Sequence, residues 1–224
     1  MLHWPMAWPF VAISVLLLLG LIAAVQLGAL TFAYQKLGLD PGWTFALLAA
    51  SLLGSAVNIP IARLRARRPM TEAKVVTFVG VRYVVPPASS EETVLAVNVG
   101  GAVIPVALSV FLIVHDQLSL GTILAIAVVA LYVHFAARPV SGVGIAVNGL
   151  VPALVAAGVA LLIGGPNVAA VAYVAGTIGC LLGADILNLG SIADLGAPVA
   201  SIGGAGTFDG VFLTGIVAVL IASL

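Results

Sequence analysis

Apolar residues run through this chain in long blocks separated by short polar breaks. Seven such blocks stand out, at approximately Pro9–Ala33, Trp43–Ala62, Thr93–Val114, Leu120–Ala137, Asn148–Ile163, Asn167–Leu187 and Thr207–Leu224. They run to about 20 residues without period-two alternation, which predicts membrane-spanning helices rather than the strands of a transmembrane barrel. The first block lacks a basic stretch ahead of it, is long for a secretory signal, and ends without a small-x-small cleavage site. It therefore reads as a retained span. The fifth is short and opens with Gly149 and Pro152.

Composition points the same way. Of 224 residues, 62% are hydrophobic and 7% charged, with a mean hydropathy of +1.28. A soluble domain carries roughly 25% charged residues, and this chain has too few to cover a water-facing surface. The fold expected is an all-α polytopic membrane protein, a single transmembrane domain over residues 1–224 with membrane lipids as its surroundings. Net charge is zero, which implies no nucleic-acid or acidic partner. The single cysteine, Cys180, excludes an intrachain disulfide.

The one sizeable polar stretch is a basic loop over residues 62–92, between the second and third blocks. Arg63, Arg65, Arg67, Arg68, Lys74 and Arg82 crowd it, and Arg138 falls on the same side in a seven-span arrangement; only Lys36 falls on the other. Lysine and arginine mark the cytoplasmic face, so the N-terminus and this loop are expected there. The arginines have two readings, a topology signal or a grip on anionic headgroups. Within the loop, "KVVTFVGVRYVVPP" is rich in valine and aromatics, and predicts a short β-like segment, one strand or half of a small hairpin.

Candidate chemistry is confined to a few polar positions. Asp185 follows Gly176, Gly179 and Gly183, which lie on one helical stripe and let a neighbouring helix approach. Asp209 follows Gly203, Gly204 and Gly206 and falls in the first turn of the last block. Each acid has a plain role open to it, at a helix end or as a first-turn acid. An ionisable group in a span is also a functional candidate. Neighbouring aspartates cannot both ionise cheaply, so one holds a proton near neutral pH. That suits an aspartic protease and equally a proton- or cation-coupled carrier. "AVNVGGAVIPVAL" at Ala96–Leu108 and "AVNGLVPAL" at Ala146–Leu154 form a faint repeat, and "VNIP" at Val57–Pro60 shares its Asn and Pro. Asn58, Asn98 and Asn148 either bond freed backbone groups or converge on a polar cavity with the aspartates. No metal-ligand spacing, phosphate loop or serine elbow is present, so no metal or cofactor is expected.

"AVNVGGAVIP", "AYVAGTIGCLLGADILNL" and "SIGGAGTFDGVFLTGIVAVLIA" resemble an uncharacterised prokaryotic membrane family known as domain of unknown function 1614. The resemblance runs from about Val75 to the C-terminus and implies a prokaryotic plasma or inner membrane. More distantly, the chain is similar to the intramembrane aspartyl proteases, the group of presenilin, signal peptide peptidase and prepilin peptidase. That likeness implies catalytic roles for Asp185 and Asp209. Gly206 stands three before the second acid as the family motif has it, whereas Phe208 takes the place of its glycine and Ala184 that of the presenilin tyrosine. On this reading Gly203, Gly204 and Gly206 admit the extended backbone of a transmembrane peptide substrate. On the carrier reading Asn188, Asn98 and Asn148 join the aspartates in an ion site at broken helix ends.

Overall fold

The computed structural model describes residues 26–65, 74–78, 81–85, 92–116, 118–140, 144–147, 150–192, 197–204 and 210–224. Helix α1 (Gln26–Lys36) stops at Leu37 and Gly38, whose φ of +77° is a left-handed turn suited to glycine. Asp40 then caps α2 (Pro41–Gly54), accepting from the N–H groups of Gly42 at 2.9 Å and Trp43 at 3.2 Å. The two helices are bent by 120° at this break.

The chain next turns into a strand, β1 (Asn58–Arg65), and here the helical expectation fails first. β1 pairs antiparallel with β4 (Glu92–Asn98), and β4 pairs parallel with β7 (Val199–Ile202), giving the order β1-β4-β7. Pro60 has no N–H to give a ladder, and the register of β1 shifts between Pro60 and Ala62. β2 (Lys74–Phe78) and β3 (Val81–Val85) form an antiparallel hairpin within the loop. β5 (Arg138–Val140) and β6 (Gly144–Ala146) form another.

The remaining helices are α3, α4 (Leu120–Ala136), α5 (Leu150–Ile163), α6, the short α7 (Leu189–Ile192) and α8 (Gly210–Ala222). Two of them contain a π-helical stretch. α3 begins with one (Val99–Val103) before the regular turns of Ile104–His115; α6 ends with one (Leu181–Ile186) after Val168–Cys180.

α6 is the centre of the bundle, packed by α3, α4, α5 and α8. Small residues permit the close crossings. A Cβ on Gly176 would lie 3.3 Å from the Cα of Gly215 in α8, and one on Gly179 would lie 2.7 Å from the Cβ of Val129 in α4. The glycine stripe thus serves two neighbours rather than one. Tyr34 attaches α1, buried beside Tyr173, Leu112 and Phe212. Much of the interior is alanine, with Ala125, Ala153, Ala156, Ala160, Ala172 and Ala175 fully buried. Large apolar side chains stand outside instead, Leu120 at 83%, Phe135 at 78% and Leu162 at 84% exposure.

Seven membrane-spanning helices are not what this sequence builds. Among the described residues one helix, Gly165–Ile186 with 22 residues, is long and apolar enough to cross a membrane, or two if the bent α1–α2 pair counts as one span. Val99–His115, α4, α5 and the last helix are apolar but only 10–17 residues long. The apolar blocks overestimate helix length because their ends take other forms. The second block ends as β1, and the third begins as β4, where "TVLAVN" is a β-branched run that hydropathy cannot distinguish from a helical turn. Of the first block, residues 9–25 lie outside the described residues.

Candidate functional site

The strands and the two π-helical stretches meet around a small set of polar groups. β4 ends at Asn98, fully buried, with an extended backbone (φ −78°, ψ 130°). Its Oδ1 accepts the N–H of Gly101 at 2.7 Å, capping the first turn of α3. Its Nδ2 donates to the carbonyl of Ser55 at 2.7 Å and to Asn58 Oδ1 at 3.0 Å. Asn58 lies opposite Asn98 in the β1–β4 register, and its Oδ1 also accepts the Ser201 hydroxyl of β7 at 2.6 Å. One knot of side chains therefore ties all three strands where they join the helices.

Asp185 comes to this place from the other side. It is half-buried near the end of the π-helical stretch of α6, and its Oδ2 accepts the N–H of Gly203 at 2.8 Å. A π-helical turn displaces carbonyls from their regular partners. Asn188 answers this by donating Nδ2 to the carbonyl of Gly183 at 2.7 Å. Gly203 and Gly204 have φ of +79° and +88°, two successive left-handed residues that glycine alone adopts without strain. The carbonyl of Gly203 lies against Gly101, in the space a Cβ there would need. Gly203 thus lies between both π-helical stretches, with Asp185 on its N–H and Gly101 against its carbonyl.

Of the residues the sequence singles out, the structure joins Asp185 to Gly203, and Asn98 to Asn58 and, through Gly101, to the Gly203 carbonyl. Asn188 serves the carbonyl of its own helix. Gly204 continues the turn. Asp209, Gly206 and Asn148 lie outside the described residues. Ser201 went unnoticed in the sequence, where "VASI" offers a strand with one polar position and no hint of its partner. Among the described residues no three His, Cys, Asp or Glu side chains come together to hold a metal ion.

A family model described as a protein of unknown function (DUF1614) matches residues 52–221. The chain belongs to that family. The matched stretch begins in the last turn of α2 and includes Asn58, Asn98, Asp185, Ser201 and Gly203, so the whole polar knot lies within the family's domain, while α1 lies outside it. No curated protein and no solved structure matches the chain significantly.

Proposed function

We infer that this chain is a membrane-embedded hydrolase of the aspartyl type, in which Asp185 and Asp209 act together on a peptide bond. The observation that carries the reading is the position of Asp185. It lies near the end of the 22-residue apolar helix and docks on the left-handed Gly203–Gly204 turn, with Asp209 six residues beyond Gly203 in the chain. At 1.5 Å per residue that helix is about 33 Å long, against about 30 Å of hydrocarbon in a bilayer. The outward Leu120, Phe135 and Leu162 over an alanine interior favour hydrocarbon around the bundle.

The chemistry asks for one carboxylate ionised and one protonated. The ionised member takes a proton from water as the water oxygen attacks the scissile carbonyl. The protonated member donates to the carbonyl oxygen, forming a tetrahedral gem-diol. Collapse re-forms the carbonyl, breaks the C–N bond and delivers a proton to the leaving amine. The Gly203 N–H fixes the Asp185 carboxylate while this happens.

A cation-coupled carrier needs free oxygen ligands. Asn98 Oδ1 is engaged by Gly101, and Asn58 Oδ1 by two donors, which favours the hydrolase. The test is cleavage of a labelled transmembrane peptide by the protein in phosphatidylcholine liposomes. Asp185→Asn and Asp209→Asn are each expected to lower the rate at least about 100-fold while thermal stability changes little. Equal rates in the variants would overturn the reading.

A further inference from the structure

The outer strand of the three-stranded sheet changes character along its length. β1 first shows Ile59 and Ile61, exposed to 48% and 55%, and then Arg63 and Arg65, whose side chains are exposed to 78% and 83%. The register sets Arg63 opposite Val94 of β4, and Val94 opposite Val199 of β7, itself 47% exposed. Arg65 and Glu92 form the row two residues along, on the same face. Glu92 sits 4.0 Å from both guanidinium groups, so two cations face one acid at the outer limit of an ion pair. Exposed pairs of this kind hold weakly. Arg67 and Arg68 extend the basic run in the sequence.

We propose that the Arg63–Arg65 end of β1 docks on anionic phospholipid headgroups, with both guanidinium groups on the phosphates and Ile61, earlier in the strand, at the acyl boundary. The proposal rests on the membrane part of the preceding reading and not on its chemistry. Arg63 stands two positions after Ile61, roughly 7 Å along the strand. The polar layer of each leaflet is about 5–8 Å deep, so a strand leaving hydrocarbon at Ile61 brings Arg63 to the phosphates. Guanidinium groups suit that place, being weakly hydrated and able to bind phosphate through two parallel N–H bonds. A sequence signal for topology acts during insertion and would leave the folded protein indifferent to headgroup charge.

The experiment reconstitutes the full chain in bilayers of phosphatidylcholine alone and of phosphatidylcholine with one third phosphatidylglycerol. Lipids that stay bound after detergent extraction are counted by native mass spectrometry. The wild-type protein retains phosphatidylglycerol above its share of the mixture. That enrichment falls about five-fold for each of Arg63→Gln and Arg65→Gln, and falls as salt rises. Arg63→Lys with Arg65→Lys keeps part of it, since the charge remains while the two-bond geometry is lost. No enrichment in the wild type, or equal enrichment in the double glutamine variant, overturns the proposal. Failure to enter pure phosphatidylcholine overturns the membrane reading as well, and so is distinguished from a failure of headgroup choice. The hydrolase chemistry is judged separately, by peptide cleavage.

Discussion

Asp185 and Gly203 are joined by a 2.8 Å hydrogen bond that fastens the π-helical end of α6 to the left-handed turn after β7. The bond sets where the chain leaves the sheet on its way to Asp209. It also orients the Asp185 carboxylate near the end of that helix. Gly101 packs against the Gly203 carbonyl, so the position of the turn depends on two helices at once.

Removing the carboxylate and neutralising it should therefore differ. Asp185→Ala leaves the Gly203 N–H without its acceptor and is expected to cost about 1–3 kcal/mol of stability. Asp185→Asn keeps an oxygen in reach of that N–H and should cost less than about 1 kcal/mol. Both variants should lose peptide hydrolysis. Thermal unfolding in detergent micelles measures the first difference, and the cleavage assay the second.

The Asn58–Asn98 pair gives a second expectation. Asn98→Ala strands the Gly101 N–H and the Ser55 carbonyl in a buried site and opens a void, for an expected loss of at least about 3 kcal/mol. Asn58→Ala, which is only partly buried, should lose about 1 kcal/mol. Because the two share a hydrogen bond, the double variant should depart from additivity by about 1 kcal/mol. A double-mutant cycle by denaturant titration reads this coupling; strict additivity would mean that the knot does not act as a unit.

The sequence reveals the polar residues of this site better than it reveals the fold. Asn58, Asn98, Asp185 and the glycines are conspicuous because polar groups are rare in an apolar chain and glycine repeats stand out by spacing. Their pairing depends on β1, β4 and β7, which the apolar pattern hides, unlike the β2–β3 segment. "TVLAVN" and "VNIPIA" are as apolar as the helices around them, and a parallel β4–β7 contact links residues about a hundred positions apart, beyond the reach of any local pattern. Span counting failed for the same reason, since hydropathy measures apolar length and not the point at which a helix gives way to a strand. The π-helical stretches carry no signal in composition at all.

Two glycines should respond in opposite directions. A Cβ on Gly101 collides with the Gly203 carbonyl, so Gly101→Ala must push the turn away and is expected to destabilise by about 1–3 kcal/mol or more. Gly158 lies within α5 with nothing within 4 Å of its would-be Cβ, so Gly158→Ala should stabilise by about 0.5–1 kcal/mol through helix propensity. Melting temperatures of the two variants, taken side by side, check the packing around the site against a neutral position on the same bundle.

The claim that Asp185 and Asp209 form one site is tested most directly by cross-linking. In a Cys180→Ala background, the Asp185→Cys/Asp209→Cys protein in membranes is treated with mercuric ion, which bridges thiols only at short range. The account predicts a rapid intramolecular bridge that protects both thiols from maleimide. An Asp185→Cys/Ser223→Cys control, with its second thiol just past the far end of α8, about 20 Å along that helix from Gly210, stays unbridged. Two thiols that each label with maleimide yet never bridge would contradict the paired site and leave Asp185 as a fastening for the Gly203 turn.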